Sequence, residues 1–247
     1  MVAGASRGLG LAIAKAMAAS GARTILASRN LEKLELEAAA LRAEGLAAEA
    51  KRLDVADADS VRAFGQEFAG QTDILLNVAG TNIRKHFTDY TPEEYESLMR
   101  SNLDGLFLLT QLIGGGMVER GKGGKIVFIG SIASTRGLPY LTVYAITKSG
   151  LAGLARVLAS EWGRYNIQVN CLAPGFIVTD LNRVMWQDPA LKEWMLTVQA
   201  IPRLGTVEDI ANVAVFLSSA ASDYITGQVI NVDGGYSTTA RWPFEPK

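Results

Sequence analysis

Ser131, Tyr144 and Lys148 are three side chains whose types and spacing could move a proton between a hydroxyl and a carbonyl. Tyr144 and Lys148 stand four residues apart in the string VYAITKSG, which puts them on one face of a helix. An ammonium beside a phenol favours the phenolate, so the pair is expected to bring the tyrosine below its ordinary pKa of about 10. Ser131, thirteen residues before Tyr144, offers a hydroxyl to hold a substrate oxygen while Tyr144 exchanges its proton. Together they would form an acid–base centre that interconverts an alcohol and a carbonyl. A Tyr-x-x-x-Lys pair alone is weak evidence, because most such pairs are solvated helix faces. Its weight here comes from the serine and from a glycine-rich stretch near residue 4.

These groups need elements to hold them. Residues 125–130 (KIVFIG) form an apolar, β-branched run that reads as a buried strand of a parallel sheet. Ser131 then falls at the carboxyl end of that strand, where open α/β sheets bind their ligands. After a polar turn with Gly137 and Pro139, a helical pattern runs to about Trp162. Far upstream, Gly4, Gly8 and Gly10 let the backbone turn tightly and approach a pyrophosphate, which rests on a helix amino terminus. Leu11, Ile13, Ala14 and Met17 supply that helix, and Gly21 ends it.

Further strands are expected at 24–28, up to Val55, at 73–77, 167–173 and 229–232. Helices are expected at 31–44 with Asn30 as cap, from about Ser60, from Thr91-Pro92 through Asn102, and from Thr206. The alternation predicts a single α/β domain over 1–247, a doubly wound parallel sheet of Rossmann type. Only two or three residues precede the glycine loop, which leaves an unusually short first strand or a missing leading segment as alternatives.

Composition narrows the class. The 247 residues are 49% hydrophobic, enough for one sizeable core, and the net charge of −1 gives no footprint for nucleic acid or an anionic membrane. One cysteine cannot make an internal disulfide, and Cys171 sits in an apolar run where buried filler is the expectation. One histidine and one cysteine cannot furnish a His/Cys metal site, and no metal is expected. No apolar run reaches membrane-spanning length, so the expectation is a soluble, cytoplasmic protein.

On Gly4-x-x-x-Gly8-x-Gly10, Asn77-Val-Ala-Gly80, Ser131 and Tyr144-x-x-x-Lys148, the chain resembles the short-chain dehydrogenase/reductase family over nearly all its length. It departs from the family pattern at Ala3, where threonine is usual, and at Val78, where a second asparagine is usual. The resemblance implies a catalytic tetrad of Asn102, Ser131, Tyr144 and Lys148, with Asn102 holding a water that links the lysine to solvent. It implies cofactor contacts from Gly4, Ser6, Arg7, Gly8, Leu9 and Gly10, from Ser28 and Arg29, and from Asp54 and Val55. Asn77, Ala79, Gly80, Tyr144, Lys148, Pro174, Gly175, Ile177 and Thr179 complete that set. NAD-dependent members commonly carry an acidic residue where Ser28 stands. Arg7 and Arg29 without that carboxylate suit a ribose 2′-phosphate, so NADP(H) is the expected cofactor and NAD(H) the alternative.

The pair Arg84-Lys85, with the strings TVYAITKSG and EWGRYNIQVN, resembles the sugar-acid branch of the family, the gluconate and ketogluconate dehydrogenases. Arg84 is the candidate partner of a substrate carboxylate, with Lys85 and Arg136 as stand-ins and a solvated basic loop as the plain alternative. Two rivals stay open: a 3-oxoacyl-carrier-protein reductase and a catalytically silent dinucleotide-binding scaffold. Residues 180–200, with Met185, Trp186, Trp194 and Met195, read as a substrate lid or as core packing. Leu106, Leu109, Leu112, Ala152, Leu154, Ala155 and Leu158 exceed what one sheet face needs, and family members pair through these helices. A homotetramer is therefore expected. The aromatic stretch 241–247 is expected to dock on a surface or a neighbouring subunit.

Overall fold

The computed structural model describes residues 1–180 and 182–240. Its framework is a seven-stranded, fully parallel sheet in the order β3-β2-β1-β4-β5-β6-β7. The strands are β1 (Val2–Ala3), β2 (Thr24–Ser28), β3 (Ala48–Arg52), β4 (Ile74–Asn77), β5 (Gly124–Ile129), β6 (Ile167–Pro174) and β7 (Val229–Val232). β1 is two residues long yet central, with Val2 in register with Leu26 on one side and Leu76 on the other. The chain winds outward from β1 to β3, then returns to start β4 on the opposite side. That reversal opens a crevice at the strand ends.

Successive strand residues face opposite layers, which is why these strands read as continuous apolar runs. On one face, Leu26, Leu76 and Val127 meet Ile13 of α1 (Gly8–Ala19), Leu34 of α2 (Leu31–Ala43) and Ile210 of α8 (Val207–Ser218). On the other, Leu75, Ile126 and Phe128 meet α3 (Ala58–Phe68), α5 (Gly105–Arg120) and α6 (Thr142–Trp162), through Phe64, Leu109 and Leu151 among others. Side chains such as Leu76, Leu109 and Phe128 are fully shielded, and each such burial contributes roughly 1.5–3 kcal/mol.

The predicted caps form. Asn30 Oδ1 accepts from the Lys33 amide at 2.9 Å and starts α2. Thr91 and Glu94 make a reciprocal capping box at α4 (Pro92–Met99), as Thr206 and Asp209 do at α8. α3 begins at Ala58 rather than Ser60, because Asp57 caps it by accepting from the Asp59 amide. The long helix expected through Asn102 is not uniform. A π-helical turn, Arg100–Asp104, joins α4 to α5 and contains Asn102. One extra residue per turn rotates the side chains of that turn relative to their helical neighbours. α7 (Pro189–Val198) completes the helices among the described residues.

Candidate active site

The glycine loop is shaped by contacts that forbid a side chain. A Cβ on Gly10 would fall 2.1 Å from the Gly4 carbonyl oxygen, and one on Gly4, at φ +99°, would fall 2.6 Å from the Ala79 amide nitrogen. The loop therefore packs directly onto the strand end that follows β4. Above it lies a cleft of about 500 Å³ at the carboxyl ends of β1 to β4. The predicted Gly4, Ser6, Arg7, Gly8, Leu9 and Gly10 line it, as do Ser28, Arg29, Asp54, Val55, Ala79, Gly80 and Thr179. Asn77 does not. Its side chain is fully buried and its Nδ2 donates to Thr110 Oγ1 at 2.9 Å. Pro174, Gly175 and Ile177 also lie off the lining: Pro174 pairs with Val232, Gly175 abuts Asp233, and Ile177 bridges to Gly205.

Residues that sequence reasoning passed over complete the lining, among them Asn30, Lys33, Val78, Thr81 and Ser101. Arg7, Arg29 and Lys33 are exposed and form no ion pair among the described residues. The Ser28 hydroxyl is shielded from solvent and finds no partner among them. A side-chain-free cradle, helix amino termini and uncompensated cations fit a phosphate-bearing dinucleotide.

Beside the cleft, Ser131 follows β5, and its Oγ accepts from the Ala133 amide at 3.1 Å. Tyr144 and Lys148 lie one turn apart on α6, as their spacing requires. The Tyr144 phenol lies near enough to the Ser131 hydroxyl for that group to favour its ionised form. Burial nevertheless raises the Tyr144 pKa above its ordinary value, while the Ser131 hydroxyl and the charge of Arg84 pull the other way. This corrects the expectation that Lys148 lowers it. The Lys148 ammonium is turned away to donate to the Ile129 carbonyl at 2.7 Å and stands 5.6 Å from the Tyr144 ring centroid. Lys148 is itself buried, and that burial pushes its pKa down to about 8.

Asn102 is fully buried and clamps the backbone of Thr81 from both sides. Its Oδ1 accepts from the Thr81 amide and its Nδ2 donates to the Thr81 carbonyl, each at 2.8 Å. A Cβ placed on Gly80 would stand 3.3 Å from Asn102 Oδ1 and 3.5 Å from Lys148 Nζ. Gly80 thus leaves the space between these two groups open, and the π-helical turn aims Asn102 into it.

The basic loop divides its charges. Lys85 is held by Glu94 at 2.8 and 2.9 Å, and Arg136 donates to the Ser237 carbonyl, so neither is a free stand-in. Arg84 is exposed, donates to Met185 Sδ, and lies near enough to Tyr144 for its charge to act there. Within the segment expected as a lid, Trp186 and Met195 are buried, and Phe176 packs its ring on Trp186 and Trp194 at 5.6 Å each. Much of that apolar bulk is core. Leu106, Leu109, Ala152 and Ala155, read as interface residues, are likewise buried within the chain, and Leu112, Leu154 and Leu158 pack partly buried against the same core. Phe107, Ile146 and Val157 are the exposed apolar residues of α5 and α6. Cys171 is buried filler with its thiol pushed up to about 11. Stretch 241–247 lies outside the described residues. No helix among them is long and apolar enough to cross a membrane.

A parallel sheet with a crevice at its reversal, floored by a glycine loop, and a serine, tyrosine and lysine beside it, is the architecture of NAD(P)-dependent oxidoreductases that act on CH–OH groups. Residues 4–237 match the family model described as Enoyl-(Acyl carrier protein) reductase. The chain is 37% identical to the gluconate 5-dehydrogenase of Gluconobacter oxydans (strain 621H) over 242 residues, 97% of this chain and 94% of that protein. It is 33% identical to the 5-keto-D-gluconate 5-reductase of Escherichia coli (strain K12), over 95% of this chain and 93% of that one. The crystal structure of a gluconate 5-dehydrogenase from Burkholderia cenocepacia J2315 in complex with NADP and tartrate matches with a TM-score of 0.92 and 38% identity, covering 96% of this chain and 94% of that chain. The protein belongs to the short-chain dehydrogenase/reductase family.

Proposed function

We propose that this protein is an NADP(H)-preferring oxidoreductase that interconverts a secondary alcohol and a ketone on a sugar acid or related polyol. The observation that carries the reading is Arg84. It is an exposed guanidinium whose described partner is a thioether rather than a carboxylate, near enough to Tyr144 for its charge to act on the phenol. A carboxylate at one end of the substrate would meet Arg84 while a carbonyl at the other meets Tyr144 and Ser131. The relatives named for gluconate and ketogluconate chemistry support the same substrate class.

In this reading the Tyr144 hydroxyl delivers a proton to the carbonyl oxygen, or takes one from the alcohol in the reverse direction. Ser131, whose hydroxyl acts on that phenol, orients the substrate oxygen. Lys148, anchored on the Ile129 carbonyl, keeps its positive charge on the same helix face as Tyr144 and joins Asn102 across Gly80 in a proton path. When bound, the nicotinamide supplies or accepts the hydride. Arg7, Arg29 and Ser28 favour a 2′-phosphorylated ribose. NADP in the Burkholderia relative supports that preference. We further read the assembly as a homotetramer, because Phe107, Ile146 and Val157 leave apolar surface on α5 and α6 uncovered.

The matching family description favours a second reading, reduction of an enoyl or other acyl-chain thioester. A panel of ketoses, keto sugar acids and acyl thioesters, followed through NADPH oxidation, separates the two. The keto acids are expected to show the highest kcat/KM. A higher value for the thioesters would replace the sugar-acid reading, and no turnover across the panel would leave a binding scaffold.

A further inference from the structure

We propose that Lys33 is a specificity residue for the cofactor, the third cation of a 2′-phosphate pocket whose other members are Arg7 and Arg29. The inference deepens the NADP(H) reading above and rests on it.

The first observation is placement. Lys33 lines the cleft together with Ser28, Arg29 and Asn30. Asn30 Oδ1 accepts from the Lys33 amide at 2.9 Å, which fixes Lys33 in the first turn of α2. Helical side chains lean toward the amino terminus of their helix, so a residue here projects back over the helix start and not along its length. For Lys33 that direction is the end of β2, where Ser28 and Arg29 stand.

The second observation is charge. Cations are unfavourable at a helix amino terminus. Lys33 breaks that rule, since it occupies the first turn of α2, and it lines the cleft together with a second cation, Arg29, which precedes the helix cap. Its natural relief would be Glu37, four residues on. That carboxylate instead pairs with Lys15 of α1 at 2.8 Å. The adjacent carboxylates of the cleft are also engaged: Asp54 accepts from the Ala56 amide at 3.0 Å, and Asp180 meets Arg183 at 3.4 Å. The sequence thus keeps a cation where the protein offers it no partner among the described residues.

The third observation is the Ser28 hydroxyl, shielded and without a partner at the same corner of the cleft. A phosphate on the adenosine ribose answers all three. It supplies the missing anion for Arg7, Arg29 and Lys33, it accepts from Ser28, and it sits at a helix terminus that favours negative charge. Lysine acts here as a flexible point charge, complementing the planar guanidinium of Arg29.

The test is calorimetric titration of the free protein with 2′,5′-ADP and with 5′-AMP, two ligands that differ by the 2′-phosphate. Lys33→Met is expected to lower affinity for 2′,5′-ADP about tenfold and leave 5′-AMP unchanged. Lys33→Arg should retain most of the affinity, and the Lys33→Met loss should shrink in high salt as the charge is screened. Arg29→Ala serves as the parallel arm. If parent and Arg29→Ala both bind the two ligands equally, the NADP(H) reading fails. If the parent discriminates and Lys33→Met discriminates just as well, Lys33 is a solvated helix residue and the proposal is overturned. An equal loss for both ligands would likewise overturn it, by assigning Lys33 to the fold of α2.

Discussion

Arg7, Arg29 and Lys33 stand exposed on the cleft, whereas Lys148 and Asn102, at the same edge of the sheet, are 3% and 0% accessible. Among the described residues, the side chains of the first group have no hydrogen-bond or ion-pair partner. The second is held by hydrogen bonds to Ile129 and Thr81. An exposed cation can be gained or lost with little effect on folding, because water screens it. A buried ammonium costs several kcal/mol in desolvation and must be satisfied by the surrounding fold. On the proposed reading, cofactor choice is thereby separable from stability in this molecule, and proton chemistry is not.

The contrast is tested most sharply at Tyr144. Tyr144→Phe should lower kcat by about 10²–10⁴-fold while leaving cofactor affinity near the parent value. A variant that keeps more than about a tenth of the parent kcat would remove Tyr144 as the acid–base group. Lys148 tests the stability half of the comparison. Its pKa falls from 10.5 to about 8 on folding, so below pH 8 both states carry the proton and the folded state bears the full desolvation cost. As pH rises from 8 toward 10.5 the folded state sheds that charge first, and stability rises. Chemical denaturation should show the parent gaining about 3 kcal/mol over Lys148→Met across that window. Parallel pH profiles for the two proteins would show that the ammonium is not buried. Arg84 is a smaller case and should behave as an exposed binding group. Arg84→Ala is expected to cut kcat/KM for a sugar acid about tenfold to a hundredfold and spare the KM for NADPH. A neutral ketose should be nearly indifferent, and an equal loss on both substrates would place Arg84 in the scaffold.

The sequence made the sheet legible because its strands are apolar on both faces, and made the caps legible because Asn30, Thr91 and Thr206 are the residues that satisfy helix amides. Ser131, Tyr144 and Lys148 could be grouped because one strand end and one helical turn determine their positions. The π-helical turn at Asn102 was not legible. No local propensity signals it, and the bonds from its Asn102 to Thr81 join residues twenty-one apart in sequence. The direction of the Tyr144 pKa was misread for a related reason. Spacing puts Lys148 on the right face but does not show that its ammonium points to Ile129. The excess of apolar residues on α5 and α6 likewise could not reveal which were core. Lys33 needed the rule that helical side chains lean backward, and the knowledge that Lys15 occupies Glu37.

β1 consists of Val2 and Ala3, and both of its neighbours come later in the chain, β2 within thirty residues and β4 beyond residue 70. The floor under the glycine loop is Ala79, which contacts Gly4 closely. During synthesis, therefore, the loop, α1 and β2 emerge well before the wall that completes their crevice. Such non-local pairing is slow to form, since a long loop must close before any contact rewards it. A nascent chain ending near residue 60 has the phosphate-binding glycines but no pocket, and a nucleotide could not serve as a template for its early folding. The lining of the cleft is complete only after β4 lies against β1 and Thr179 and Asp180, far later in the chain, are in place.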